Sequence, residues 1–237
     1  TSSTDWAFGV ALDTSENVYV AGRTSGSLDG NSSAGNEDMF LVKYNSSGTK
    51  QWTQQLGSSN TENVYDVTTD SSGNVFVTGS TLGDLDDNSS TTGTSFLVKY
   101  NSSGTKQWIK QVDGSEYGSG VATDSSGNIY VTDAGSHLIR KIDSNGTVTT
   151  IAGSGSAGST DGQGTSASFS TPRGIAVDSS GNVYVSDLNN HKIRRIDPSG
   201  YVTTLAGTGT AGSTNQGASS TFYSPSRLAL DSSNNLY

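Results

Sequence analysis

The sequence predicts an all-β fold, a β-propeller of four-stranded antiparallel blades, about four and a half of them present. Three observations lead there. First, five short stretches are near copies: Asp13-Thr-Ser-Glu-Asn-Val-Tyr-Val, Asp70-Ser-Ser-Gly-Asn-Val-Phe-Val, Asp124-Ser-Ser-Gly-Asn-Ile-Tyr-Val, Asp178-Ser-Ser-Gly-Asn-Val-Tyr-Val and Asp231-Ser-Ser-Asn-Asn-Leu-Tyr. Second, their leading aspartates are separated by 57, 54, 54 and 53 residues. A period near 50 made of short strands is the signature of one four-stranded blade per repeat. Third, apolar residues make up only 30% of the chain, yet they fall in short regular runs divided by Gly, Ser, Thr and Asn. Strands joined by turns have that pattern.

Each repeat supplies four strands. In the second repeat they are expected at Val64–Thr69, Val75–Thr78, Phe96–Tyr100 and Lys106–Val112. In the fourth they are expected at Gly174–Val177, Val183–Ser186, Lys192–Ile196 and Tyr201–Leu205. Between the first two strands stands the turn opened by Asp13, Asp70, Asp124, Asp178 or Asp231 and closed by residues such as Asn74, Asn128 and Asn182. Asp and Asn side chains bond nearby backbone N–H groups, and Gly or Asn tolerates positive φ, so these residues are expected to be structural. Asn-Ser-Ser-Gly (45–48 and 101–104), Ser-Asn-Gly (144–146) and Pro-Ser-Gly (198–200) make the next hairpin. The second strand is apolar on both faces, as a strand sandwiched between two neighbouring blades must be. The fourth strand alternates, as in Lys106-Gln-Trp108-Ile-Lys110, and belongs on the outer rim, where polar residues discourage edge-to-edge association.

The count is four full repeats and the first half of a fifth, whose inner strands are expected at Arg227–Leu230 and Asn235–Tyr237. Residues 1–237 therefore read as one incomplete propeller domain, cut at both ends from a longer polypeptide. Either further blades of that polypeptide complete the ring, or another chain fills the gap by strand addition, with self-association through the open blade edges.

The repeats come in two kinds. Phe-Leu-Val-Lys-Tyr-Asn-Ser-Ser-Gly-Thr-Lys-Gln-Trp occurs identically at 40–52 and 96–108. Residues 1–113 resemble the bacterial beta-propeller repeat family abbreviated SBBP. Residues 114–237 carry Asp133-Ala-Gly-Ser-His137-Leu-Ile-Arg-Lys-Ile-Asp143 and Asp187-Leu-Asn-Asn-His191-Lys-Ile-Arg-Arg-Ile-Asp197, each followed by a Val-Thr-Thr strand. These resemble NHL repeats; Asn190-His191 matches the eponymous pair, with Lys192 in place of Leu, whereas Ser136 replaces the Asn before His137. Both resemblances imply a propeller and say little of function, because such propellers serve many roles.

The net charge of −9 argues against a nucleic-acid partner, which needs a dense Lys/Arg surface. The absence of cysteine excludes a disulfide framework and a thiolate metal site. No apolar run approaches the ~18–20 residues of a membrane-spanning helix, so no membrane insertion is expected. The Ser/Thr/Gly/Asn-rich acidic composition is usual for secreted or surface-exposed bacterial proteins, and an extracellular or cell-surface location is expected. Sequons at Asn31, Asn45, Asn88, Asn101 and Asn145 add weakly to that, being frequent by chance in such a chain.

Candidate chemistry is sparse. His137 and His191 lie one repeat apart at equivalent places, so they belong to different blades and are expected to be structural. Calcium is the metal for which donors exist: Asp84, Asp86 and Asp87 form a dense oxygen loop, with Asp29 at the equivalent place in repeat one. Neither loop has the spacing of an established calcium loop, and no cofactor is expected. No Gly-x-Ser-x-Gly elbow opens a helix, and the glycine-rich 153–158 and 207–212 lack a phosphate-binding Lys. Arg140-Lys141 and Arg194-Arg195 are expected to be solvated or paired with nearby Asp.

The function expected is therefore non-enzymatic: a scaffold binding a protein or glycan through loops Arg23–Asp38, Thr81–Thr94 and Ser154–Thr171. The rivals are a fragment of an NHL-type lyase or hydrolase whose catalytic residues lie elsewhere, and a structural extracellular spacer.

Overall fold

The computed structural model describes residues 4–85, 94–113, 120–214 and 217–237. It divides into two compact units, Thr1–Gly118 and Ser119–Tyr237, which are taken separately.

The first unit holds two antiparallel sheets, each meandering in chain order. One contains β1 (Asp5–Leu12), β2 (Val18–Thr24), β3 (Asp38–Tyr44) and β4 (Lys50–Leu56); the other contains β5 (Glu62–Thr69), β6 (Val75–Thr81), β7 (Thr94–Tyr100) and β8 (Lys106–Asp113). Both sheets fit single blades. Tyr19, Ala21, Met39 and Leu41 pack with Val64, Val67, Val75, Val77, Phe96, Val98 and Tyr100 in one core. Every residue of β6 is buried, as expected of a middle strand covered on both faces. The inner strands carry matching bulges, with register shifts between Ala7 and Gly9 and between Val64 and Asp66.

The second unit begins with a sheet of β9 (Val121–Thr123), β10 (Ile129–Asp133), β11 (Leu138–Ile142) and β12 (Val148–Ala152). Its second sheet has five strands: β13 (Gly162–Gln163), β14 (Pro172–Val177), β15 (Val183–Asp187), β16 (Lys192–Ile196) and β17 (Tyr201–Ala206), ordered β13-β17-β16-β15-β14. This corrects the outer-rim position expected for the fourth strand of that repeat. The connector after β12 pairs Gly162 with Val202 and Gln163 with Tyr201, so the first two residues of β17 gain an outer neighbour. The core gathers Tyr130, Ile139, Phe169, Ile175, Val183, Val185 and Ile196.

Hydroxyl groups tie the inner strands of this unit together. Thr132 Oγ1 accepts the Gly120 N–H (2.7 Å) and donates to the Arg173 carbonyl (2.7 Å). Ser186 Oγ likewise accepts the Gly174 N–H (2.7 Å) and donates to the Ser226 carbonyl (3.0 Å). This close approach explains glycine at 174: a Cβ there would lie 2.4 Å from the Ser226 carbonyl oxygen.

The fifth repeat departs from the expected strand pair. Arg227–Leu230 and Asn235–Tyr237 form a short hairpin held by reciprocal bonds between Ala229 and Tyr237 (3.0 and 2.9 Å) and one bridge, Leu230 to Leu236.

Candidate functional site

The repeated polar residues go into turns. Asp178 Oδ1 accepts the N–H groups of Ser180 (2.9 Å) and Asn182 (2.8 Å), while Oδ2 accepts from Asn182 Nδ2 (2.7 Å) and the Tyr184 hydroxyl (3.0 Å). Asp13, Asp124 and Asp231 make the same four-donor set with Asn17 and Tyr19, Asn128 and Tyr130, and Asn235 and Tyr237. Asp70 accepts from Ser72 and Asn74 without a hydroxyl, because Phe76 replaces the tyrosine. Burial alone would raise the pKa of Asp178, but the bonds from Asn182, Tyr184 and Ser180 outweigh it and hold the carboxyl below its ordinary range. The same balance lowers Asp13 and Asp124. The second hairpins repeat the device through Asn45, Asn101, Asp143 and Asp197, each accepting the N–H four residues on.

The calcium candidates do not assemble among the described residues. Asp29 pairs with Lys50 Nζ (2.6 Å) and accepts from Thr53 Oγ1 (2.5 Å), and the Lys50 bond draws its pKa down. Asp84 follows β6, and Asp86, Asp87 and Asn88 lie outside the described residues. Among the described residues no three His, Asp or Glu side chains converge as a metal would need.

The histidines occupy equivalent, separate places. His137 and His191 both have left-handed backbone (φ 58° and 54°). Each accepts at Nδ1 a backbone N–H from the next connector, Thr171 (3.1 Å) and Ser224 (3.1 Å) respectively.

Arg194 was not legible as what it is. It is fully buried in the second unit over the Phe169 ring (5.0 Å). It donates to Asp187 Oδ2 (2.7 Å), Asp161 Oδ1 (2.7 Å) and the carbonyls of Ser168 and Thr160 (both 2.9 Å). Asp187 also accepts from Asn190 Nδ2 (2.8 Å) and the Ser170 N–H (2.7 Å). Thus the connector 154–171, one of the three expected recognition loops, is wrapped around Arg194 and supplies β13. Of the expected choices for Arg194, pairing with Asp holds and solvation does not.

A different cluster, missed in the sequence, remains open. In the first unit the β1 bulge presents Trp6 and Phe8 to solvent, 41% and 38% exposed. The Arg23 guanidinium lies over both rings, 4.8 Å from Trp6 and 5.5 Å from Phe8. Arg23 Nη1 is held by Glu37 Oε2 (3.2 Å) and donates to Asn63 Oδ1. Its Nε is buried without a partner among the described residues. The only sequence signal was the departure from the repeat: Trp6 corresponds to Asn63 and Phe8 to Tyr65, one repeat on.

Comparison with known proteins agrees with this architecture. The SBBP beta-propeller repeat model matches residues 1–29, 51–86 and 107–132, and the NHL repeat model matches 169–196. The Arabidopsis thaliana chloroplastic protein SUPPRESSOR OF QUENCHING 1 is 43% identical over 79 residues, 33% of this chain and 8% of its own length. This chain therefore spans a small part of that relative. An auxiliary nutrient binding protein from Bacteroides ovatus superposes with a TM-score of 0.64 at 19% identity, over 95% of this chain and 54% of its own. Virginiamycin B lyase from Staphylococcus aureus superposes with a TM-score of 0.52 at 12% identity, over 99% of this chain and 80% of its own. At such identities the likeness is one of fold. With sheets that fit blades, repeats at a fixed period and these matches, the chain is a beta-propeller repeat protein that carries SBBP repeats and an NHL repeat.

Proposed function

We propose that this chain is a non-enzymatic binding scaffold of a secreted or cell-surface protein, recognising a protein or glycan ligand. The observation that carries this reading is that the groups chemistry would need are engaged in structure among the described residues: the turn aspartates in their turns, both histidines in connector bonds, and Arg194 in its buried network. A fold shared with an auxiliary nutrient binding protein supports a binding role. The Ser/Thr/Gly/Asn-rich acidic composition supports the location.

The test is a screen of the whole chain against arrayed polysaccharides and surface proteins, with each hit analysed by mass spectrometry after prolonged incubation. Saturable binding that leaves the ligand chemically intact is expected. Conversion of a bound ligand to product overturns the reading, as does an array without a saturable hit.

A further inference from the structure

We infer that the outer edge of β12, around Arg140, Val148 and Thr150, takes up an extended acidic segment of a partner protein as an added strand. The inference rests on the binding reading above and names the ligand class.

The second unit contains the same edge twice, once covered and once bare. The pairs β11–β12 and β16–β17 share a register, with the same shift after Ile139 and Ile193, and Arg140 stands opposite Thr150 as Arg194 stands opposite Thr204. On β17 the connector supplies the cover. Gly162 pairs with Val202 and Gln163 with Tyr201. Gln163 Nε2 donates to the Ser199 carbonyl (2.6 Å), and the Gly164 N–H donates to the Gly200 carbonyl (2.9 Å). Asp161 bridges this edge to the arginine. Its carboxylate accepts from Arg194 Nη2 (2.7 Å), from the Thr204 N–H (3.0 Å) and from Thr204 Oγ1 (3.0 Å).

β12 is the end strand of its sheet and has no such neighbour among the described residues. Val148 is 58% exposed, whereas its equivalent Val202 is fully buried. The Arg140 side chain is 34% exposed, against 0% for Arg194. Arg140 Nη1 donates directly to Thr150 Oγ1 (2.6 Å), so the two groups that a carboxylate bridges on the covered edge meet each other here. By the shared register the Thr150 N–H faces outward, as the Thr204 N–H does toward Asp161.

The bare edge offers what the connector uses on the covered one. Gln163 and Gly164 bond backbone carbonyls only, and Asn145 and Gly146 stand in the places of Ser199 and Gly200, in a turn closed by equivalent bonds. An open strand edge adds a strand through its main-chain groups, and side chains beside it choose the partner. Here the choosing side chain is Arg140, whose fork suits a carboxylate. The segment on β17 gives the occupant's chemistry: an Asp directly before two extended residues that pair with the edge. A polyanion fits less well. It needs several cations, whereas Arg140 already faces Asp133 (3.3 Å) on a chain of net charge −9.

The probe is the peptide Ala-Gly-Ser-Thr-Asp-Gly-Gln-Gly, the sequence of residues 157–164, titrated into the isotope-labelled whole chain while backbone amide signals are followed by NMR. Saturating shifts of the Val148, Thr149 and Thr150 amides are expected. The Asp161→Asn form of the peptide, and Arg140→Gln in the chain, should each raise Kd about tenfold, the loss of one charge-assisted pair. The peptide variant leaves the chain untouched, and circular dichroism checks that Arg140→Gln is folded. Saturation that the Asp161→Asn peptide does not weaken overturns the acidic class. The same amides shifting with the concentration of the chain alone assign the edge to a second copy and overturn the partner. No saturation by about 5 mM peptide overturns the site. Alongside a saturable hit on the array it leaves the scaffold reading standing, and without one both fall.

Discussion

Replacing Asp178 with Ala removes the acceptor of four hydrogen bonds at once, and the structure allows the cost to be worked out. Ser180 is exposed, so its N–H finds water again at little cost. The Asn182 N–H, Asn182 Nδ2 and Tyr184 hydroxyl are only half-exposed and regain water incompletely. A stranded donor of this kind costs about 1 kcal/mol, and the three share one environment, so the loss is about 2–3 kcal/mol. Asp178→Asn is the internal control. It keeps Oδ1 for both backbone N–H groups, as Asn101 does for those of Ser103 and Thr105 in a second hairpin, and should lose about half as much. All three tryptophans lie in residues 1–118, so their fluorescence does not report on this turn. Hydrogen exchange by mass spectrometry on peptides spanning 174–206 does, because it resolves local opening free energies. If Asp178→Ala leaves protection in those peptides within about 0.5 kcal/mol of the parent, the structural role assigned to the repeated aspartates is wrong.

Other expectations follow from the same geometry. Gly174→Ala places a methyl 2.4 Å from the Ser226 carbonyl and should cost about 1–3 kcal/mol by the same exchange measurement, with no cost refuting the close inner-strand approach. Arg194→Met strands buried Asp187 and should cost about 3–5 kcal/mol, of which Arg194→Met with Asp187→Asn recovers a part; a double variant no better than the single one would show that the pair is not coupled. Glu16, like Asn234 of the fifth repeat, stands at a turn position held by Gly73, Gly127 and Gly181 elsewhere and has φ 60°, so Glu16→Gly should stabilise the first unit by about 1 kcal/mol, read as a higher urea midpoint. On acidification, the lowered native pKa values of Asp13, Asp124, Asp161 and Asp178 mean that the unfolded chain binds more protons below the ordinary carboxylate value near ~3.9. Their stabilisation is complete above that value and is lost as pH falls through the native values, so thermal midpoints should hold from pH 7 to about 5 and drop steeply below about 4. Midpoints unchanged down to pH 3 would contradict it.

The sequence carried the blades and their turns because both depend on local chemistry. Alternating apolar runs and Asp-x-x-Gly-Asn turns need no distant partner to be recognised, and the strands found in the second and fourth repeats extend those expected by at most three residues, as in Val75–Thr81 against Val75–Thr78. What the sequence concealed depends on long-range contact. Arg194 sits in a strand whose neighbour Arg195 is only half-buried, and nothing local distinguishes the two. Its partners Thr160, Asp161 and Ser168 come from a connector that reads as a free loop. Strand β13 was hidden for the same reason: two residues, Gly162 and Gln163, have no periodicity to read. The open cluster combines Trp6 and Phe8 from β1 with Arg23, Glu37 and Asn63 from three further segments. A bulge, which shifts the face of a side chain without changing the hydrophobic pattern, brings them together.

The central claim is that the repeated turn aspartates hold the blades. It is tested most directly by hydrogen exchange on the parent chain and on Asp70→Ala, Asp124→Ala and Asp178→Ala, each read in peptides of its own repeat. The account predicts that each variant loses about 1–3 kcal/mol of protection in those peptides. Protection unchanged in all three would contradict it.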